Sequence, residues 1–247
     1  MKNTRVNGIR LATLCSVALL CTGCPNPNTY GTPRTTPVGK IQHSVAVEAF
    51  GFSATEKSTN SSISGTVPTF PTYTLRIGVA DTVDIGARLS NFSSLGADVK
   101  WNFIKSESFD MAFDPGFQVF HIGGTSGGVD SSYSQLYLNG ALLFGINVGD
   151  SVSIVPSLGA TYGWSSASIV SDSDREAAAS GGGVMARFGV GFDFRVSQRF
   201  AIHPEITFLK SLSGADTLSS SLLYMAGVGF NFGNLPKYGA EAAEPAK

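Results

Sequence analysis

His203 and Glu205 stand two residues apart in the stretch Arg199-Phe200-Ala201-Ile202-His203-Pro204-Glu205, so on an extended chain their side chains share one face. Asp193 falls opposite His203 if the connection around Ser197 is a tight hairpin. An imidazole between two carboxylates has the parts of a general base, which takes a proton from a nucleophile held within hydrogen-bond reach. No serine is placed beside His203 by the sequence, and without one the same trio reads as a structural ion pair. His43 and His121 lie at the ends of extended stretches, far from each other and from His203, which gives no spacing suited to a metal. Gly123-Gly124-Thr125-Ser126-Gly127-Gly128 lacks the Lys-Ser/Thr ending and the helix of a phosphate cradle and reads as a surface loop. Gly189, Gly191, Gly227 and Gly229 are not dinucleotide fingerprints either; their expected role is to let a crowded wall of strands curve. No cofactor and no metal are expected.

A second chemistry is covalent. Lys2, Arg5 and Arg10 precede an apolar run of about eleven residues, and Gly23 supplies a small residue before a cut, the layout of an export signal. Leu20-Cys21-Thr22-Gly23-Cys24 resembles the lipobox of bacterial lipoproteins, with Cys21 where Leu is more usual. The resemblance implies cleavage after residue 23 and acylation of Cys24. Cys15 and Cys21 would leave with the signal, so Cys24 would be the single thiol of an exported chain, and acylation gives it a purpose. Residues 24–40 hold Pro25, Pro27, Pro33 and Pro37 among Asn and Thr, which reads as an extended tether.

Composition narrows the possible classes. Charged residues make up 14% of the chain, against roughly 25% in soluble domains. The net charge of −1 gives no electrostatic case for nucleic acid. After Cys24 no apolar run reaches about 18 residues, the length of a spanning helix; entry into a membrane would be by strands.

From Ile41 the apolar pattern has period two. Leu95, Ala97, Val99, Trp101 and Phe103 alternate with Gly96, Asp98, Lys100 and Asn102, a strand with one apolar and one polar face. The same alternation predicts ten strands, at 41–52, 70–80, 82–91, 94–104, 109–121, 133–147, 151–164, 182–196, 199–210 and 220–232, each long enough to cross a bilayer at a tilt. The connections alternate as well. Tight turns at 80–82, 105–108, 148–150 and 197–198 face long Ser/Gly-rich loops at 53–69, 122–132, 165–181 and 211–219. Phe92-Ser93 alone is short where a long loop is expected. Pro115, Pro156 and Pro204 each follow a strand start by about five residues in a weak hairpin repeat; each removes a ladder hydrogen bond, so a bulge or water is expected beside it.

Polar faces built from Gly, Ser, Thr and Asn, aromatics near strand ends, and a last strand closing on Val228-Gly229-Phe230-Asn231-Phe232 resemble the bacterial outer-membrane β-barrel proteins over 41–232. The resemblance implies an all-β, antiparallel up-and-down transmembrane barrel of about ten strands, polar inside, with a signal at 1–23, the tether at 24–40 and a disordered tail at 233–247. It also implies a cell outer-membrane location with the N-terminus lipid-anchored on the periplasmic side. The implied partners are membrane lipid and the lipoprotein export and barrel-assembly machinery.

With the polar face inward, Glu48, Asp84, Asp98, Asp110, Asp114, Asp193 and Glu205 enter the lumen with Arg76, Arg88, Lys100, Arg187, Arg195 and His203. Arg76 and Asp84 should meet across the turn near Ala80. Buried charges must pair, so a salt-bridge network that plugs the lumen is expected over an ion-selective pore. The functional expectation is a non-enzymatic barrel with a structural, surface-interaction or minor small-solute channel role. Two other readings stand beside it. One is a periplasm-facing lipoprotein with a soluble, lipocalin-like, ligand-binding barrel, which gives the same period. The other is an outer-membrane hydrolase, since the trio at His203 also resembles the His-acid sites of outer-membrane lipid A deacylases and proteases.

Overall fold

The computed structural model describes residues 26–56, 62–91, 93–126, 129–171, 175–213 and 218–238. Eleven strands form one antiparallel sheet: β1 (Ile41–Glu56), β2 (Ser62–Pro68), β3 (Thr72–Ala80), β4 (Val83–Ser90), β5 (Ser94–Lys105), β6 (Phe109–Ser126), β7 (Val129–Val148), β8 (Val152–Ser171), β9 (Arg175–Ser197), β10 (Phe200–Ser211) and β11 (Leu218–Gly233). Each pairs with its neighbour in the chain, β2 and β3 both lying against β1, and β11 returns to pair with β1 from Gln42↔Gly233 to Glu56↔Leu218. The sheet is therefore a closed barrel, and closure removes the free edges that an open sheet would expose.

Strands β2 and β3 are two halves of a single barrel strand, which makes the barrel ten-stranded. β2 pairs with the upper half of β1 (Ala49↔Pro68) and β3 with its lower half (Ala46↔Thr72). Between these pairs β1 has two residues and the other strand three. Pro68 and Pro71 bracket the extra residue and have no N–H for the ladder, while the Thr69 amide still donates to the Glu48 carbonyl at 3.0 Å.

The expected loops on the long side are mostly strand. β6 and β7 stay paired from Phe109↔Ile146 up to Ser126↔Val129, and β8 and β9 from Val152↔Phe194 to Ser171↔Arg175. The glycine stretch expected to be a surface loop is thus ladder up to Ser126. Serine and glycine leave backbone pairing intact; they only remove the side-chain alternation by which a strand is recognised.

The three strand prolines do not bulge. At Pro115 the β5–β6 pairing lapses between Asp98↔Gly116 and Trp101↔Phe113; at Pro156 the β7–β8 pairing lapses between Leu143↔Ser157 and Ile146↔Ile154; at Pro204 the β9–β10 pairing lapses between Ile202↔Phe194 and Glu205↔Gly191. In each case the register on both sides of the gap is the same. A missing N–H costs local pairing, but the long ladder above each gap and the two or three pairs directly below it stay in one register.

Polarity is inverted relative to a soluble barrel. Large apolar side chains face outward, among them Val47, Leu95, Phe117, Leu138 and Phe188, each more than 40% exposed. The buried set is mostly polar. A lipocalin-like barrel needs the opposite arrangement, which overturns the soluble-barrel reading. Only lipid can cover this outer belt at low free energy. Leu142 lies in the middle of the belt, opposite Phe113 and Leu158. Leu142→Arg is expected to lower folding stability in bilayers by about 2–4 kcal/mol, the cost of a midplane cation, as read by denaturant titration.

Candidate functional site: a lumen filled by the chain's own N-terminal segment

Residues 26–38 run down the inside of the barrel. Asn26 stands beside Glu48, Thr72, Arg88 and Gln118, and the chain descends to Val38, which bridges Gly78 of β3 before β1 begins. The expectation of a slack tether is corrected here. Its composition does prevent a core of its own, but the barrel wall supplies the partners that the segment lacks.

Those partners are largely the charges expected in the lumen. The Glu205 carboxylate accepts the amides of Thr29 (3.0 Å) and Tyr30 (2.7 Å), and Asp84 accepts the amide of Thr36 at 2.8 Å. The carbonyls go to cations and amides. Arg187 donates to Pro27 O at 2.8 Å, Arg88 to Asn28 O at 2.8 Å, Lys100 to Thr32 O at 3.0 Å and Asn231 to Tyr30 O at 2.8 Å. A chain without secondary structure must satisfy its buried backbone groups elsewhere, and Pro27, Pro33 and Pro37 shorten the demand by carrying no N–H. Tyr30 adopts a left-handed φ of 47°, a conformation that costs a non-glycine residue about 1–2 kcal/mol. Glu205 on its amide and Asn231 on its carbonyl hold it there, and its hydroxyl donates to Glu48 at 2.7 Å.

The wall is shaped for this occupant. A Cβ on Gly229 would lie 2.7 Å from the Tyr30 Cβ, so only glycine admits the residue. Gly191 likewise leaves room for His203. The close contacts of Gly189, Gly191, Gly227 and Gly229 lie on the inside, where the missing side chains give depth. One cavity beside the segment, lined by residues including Asn28, Arg88, Asp98, Asp114 and Gln118, is about 10 Å³, the space of about one water; a second, open one of about 1100 Å³ lies at the short-turn mouth, between Arg34–Val38, Asp81, Lys105, Asp150 and residues 233–238.

Of the thirteen residues expected in the lumen, eleven are buried and Arg88 and Arg195 are half-buried, and most pair. Arg76 is the hub of one group: its guanidinium lies 2.6 Å from Asp84, 2.6 Å from Asp98 and 3.8 Å from Asp114, while Lys100 lies 3.3 Å from Asp84. Asp110 pairs with Arg34 of the lumen segment at 2.7 Å, a cation that strand alternation could not have found. Arg34 raises the lumen bases from five to six against seven acids. Arg187 lies 3.6 Å from Glu205.

His203 is fully buried, with Nδ1 3.2 Å from Asp193 and Nε2 3.7 Å from Glu205. Tyr30 meets its ring edge-on at 6.4 Å between centroids. The rest of the Asp193 carboxylate is taken by Tyr238, whose hydroxyl donates to it at 2.6 Å, and by Arg195 at 3.3 Å. Burial, and then the Asp193 charge, raise the Tyr238 hydroxyl well above its ordinary pKa, so Tyr238 is a neutral donor. It comes from the stretch expected to be a disordered tail. Instead, Leu235 and Tyr238 are buried, Arg195 stacks 4.5 Å over the Tyr238 ring, and Arg195 and Arg34 donate to the carbonyls of Pro236 and Lys237. Residues 234–238 therefore pack against the lumen segment at the short-turn end and cover part of its mouth. The imidazole and carboxylates that suggested catalysis have no open face toward a substrate.

His43 faces outward, stacked 5.4 Å from Phe232 and bonded to the Tyr73 hydroxyl at 2.7 Å, and His121 bonds Ser134 at 2.8 Å. Cys24, the signal at 1–23 and the tail from 239 lie outside the described residues.

No protein-family model matches the chain, and no curated protein matches it in sequence. Solved bacterial outer-membrane barrels do match in structure. The outer membrane protease OmpT from Escherichia coli aligns at 8% identity over 81% of this chain and 98% of its own, with a TM-score of 0.50. The translocator domain of the autotransporter NalP from Neisseria meningitidis aligns at 12% identity over 92% and 95%, TM-score 0.44. The attachment invasion locus protein Ail of Yersinia pestis aligns at 14% identity over 78% and 99%, TM-score 0.37. What this chain shares with OmpT is the fold. The Arg76 cluster offers a test of the lumen network itself. Asp84→Ala leaves Arg76 and Lys100 short of a counter-ion and the Thr36 amide without an acceptor, and is expected to cost about 3–5 kcal/mol, as for other broken buried pairs, in equilibrium unfolding followed by tryptophan fluorescence.

Proposed function

We propose that the protein is a sealed outer-membrane barrel: a non-conducting, non-enzymatic structural element that presents its long hairpins at the cell surface. The observation that carries this reading is the occupied lumen. Residues 26–38 fill it from the level of Gln118 down to Val38, and residues 234–238 cover part of the short-turn mouth. The inverted polarity of the wall supports a membrane location, and the fold shared with an outer-membrane protein supports the outer membrane. Short turns then face the periplasm and the β6–β7 and β8–β9 hairpins the exterior. A minor solute channel, the other role compatible with the sequence, would need the segment to leave. A hydrolase would need His203 to meet a substrate, and its burial between Asp193, Tyr30 and Glu205 argues for a structural role.

Planar-bilayer recording tests the sealed state. The intact chain is expected to give no defined conductance steps, whereas deletion of residues 26–38 is expected to give steps with cation preference, because seven acids would then face five bases. Steps of equal size from the intact chain and the deletion would contradict the proposal.

A further inference from the structure

The open cavity at the short-turn mouth, about 1100 Å³, is slightly larger than the roughly 300–1,000 Å³ of most ligand sites. It is blind. Thr35 and Thr36 of the lumen segment, both buried, lie on its inner side, and the short turns and residues 233–238 surround it. Because the turns β3–β4, β5–β6, β7–β8 and β9–β10 all contribute to its lining, it lies on the barrel axis and opens to water, not to lipid.

Its charges are sorted by side. Six cations line it against two acids. Arg34 and Arg195 are engaged inward, by Asp110 at 2.7 Å and Asp193 at 3.3 Å. Lys40, Lys105, Arg199 and Lys237 are exposed, and the first three of these make no ion pair among the described residues. Closure of the barrel sets Arg199 and Lys40 on either side of the β11 end: the Gly233 amide donates to Arg199 O at 3.0 Å and the Asn234 amide to Ile41 O at 3.0 Å. Two strand spacings separate their backbones, roughly 10 Å. Both are fixed in place, Lys40 by its amide on Pro37 O at 2.9 Å and by the turn at Gly39, where φ is 68°. Lys237 lies on the stretch that leaves this seam, its carbonyl held by Arg34 at 3.0 Å. The far side carries Asp81 and Asp150, with Lys105 on the turn between theirs. A cleft with one sign of charge along a wall focuses its field on ligands of the other sign, so carboxylates are drawn to the Lys40–Arg199 side. A ligand that is anionic throughout meets repulsion from Asp81 and Asp150; one that also bears an amine satisfies both sides.

We infer that the short-turn mouth binds a short peptide bearing at least two carboxylates and a free amine, the carboxylates between Lys40 and Arg199 and the amine toward Asp81 and Asp150. The inference rests on the membrane orientation proposed above only for the compartment, the periplasm, from which the peptide comes. The ligand docks at the mouth and does not pass, since the lumen segment lies behind it.

The test is isothermal titration calorimetry of the full-length chain in neutral detergent micelles, with the tripeptide Ala-Glu-Ala, both ends free, as the probe. Saturable one-site binding that weakens with added salt is expected. Lys40→Gln and Arg199→Gln are each expected to weaken it about two- to fivefold, the range for exposed ion pairs; both residues are exposed, and unchanged gel mobility of the unheated protein checks that the variants fold. Acetylating the peptide's amine is expected to weaken binding to the intact chain by a similar factor, and to have no effect on an Asp81→Asn, Asp150→Asn double variant. No binding at millimolar peptide, or variants that bind as the intact chain does, would overturn the site. Inorganic phosphate binding as tightly as the peptide, or displacement of the peptide by phosphatidylglycerol added to the micelles, would overturn the peptide as its ligand. None of these readouts depends on conductance, so the sealed-barrel reading stands or fails separately.

Discussion

Thirteen residues of irregular backbone inside a barrel are tolerable only if nearly every N–H and C=O finds a partner that is not water. An unpaired buried backbone group costs about as much as a lost hydrogen bond, so the segment 26–38 could not lie in an apolar or weakly polar lumen. The wall meets this requirement with ionised side chains. Glu205 and Asp84 take amides, and Arg88, Lys100 and Arg187 take carbonyls. The same contacts solve the reverse problem, since charges removed from water need hydrogen bonds as well as counter-ions. Wall and segment are each the other's solvent. Arg34 with Asp110 and Tyr30 with Glu48 tie them further, and the glycines opposite Tyr30 give the depth that a bulky ring demands.

The ionisable groups that suggest catalysis therefore have structural work. His203 is oriented by Asp193, which is itself saturated by Tyr238 and Arg195. A catalytic imidazole needs a nucleophile on one side and access from the other; Tyr30 and Glu205 occupy that space. The barrel resembles a packed protein core more than a pore, except that its packing is polar and its apolar surface is on the outside.

The barrel was legible in the sequence because strands with two different solvents on their two faces alternate strictly, as Leu95–Phe103 does. The inward charges followed from the same parity, and Arg76 and Asp84 met because a tight turn fixes the register across it. What parity could not show was anything off the strands. Asn26, Tyr30 and Arg34 lie in a Pro/Asn/Thr stretch whose composition says that it cannot fold alone, and that is true; it is silent on whether another part of the chain will hold it. A signal did exist: Tyr30 and Arg34 are large side chains for a slack linker, and seven lumen acids faced only five bases. Tyr238 was hidden for the same reason. The outer hairpins escaped because Ser and Gly on both faces erase the alternation, although the ladder continues.

Everything above depends on residues 26–38 being lumen and not linker, and amide hydrogen exchange of the folded protein in detergent micelles addresses that placement most directly. Peptides covering 26–36 are predicted to exchange as slowly as those from β8 and β9, because the amides of Thr29, Tyr30 and Thr36 are bonded to wall carboxylates, that of Asn26 to Gln118, and most of the segment is buried. Exchange of that segment at the rate of a free peptide, with the strands still protected, would contradict it.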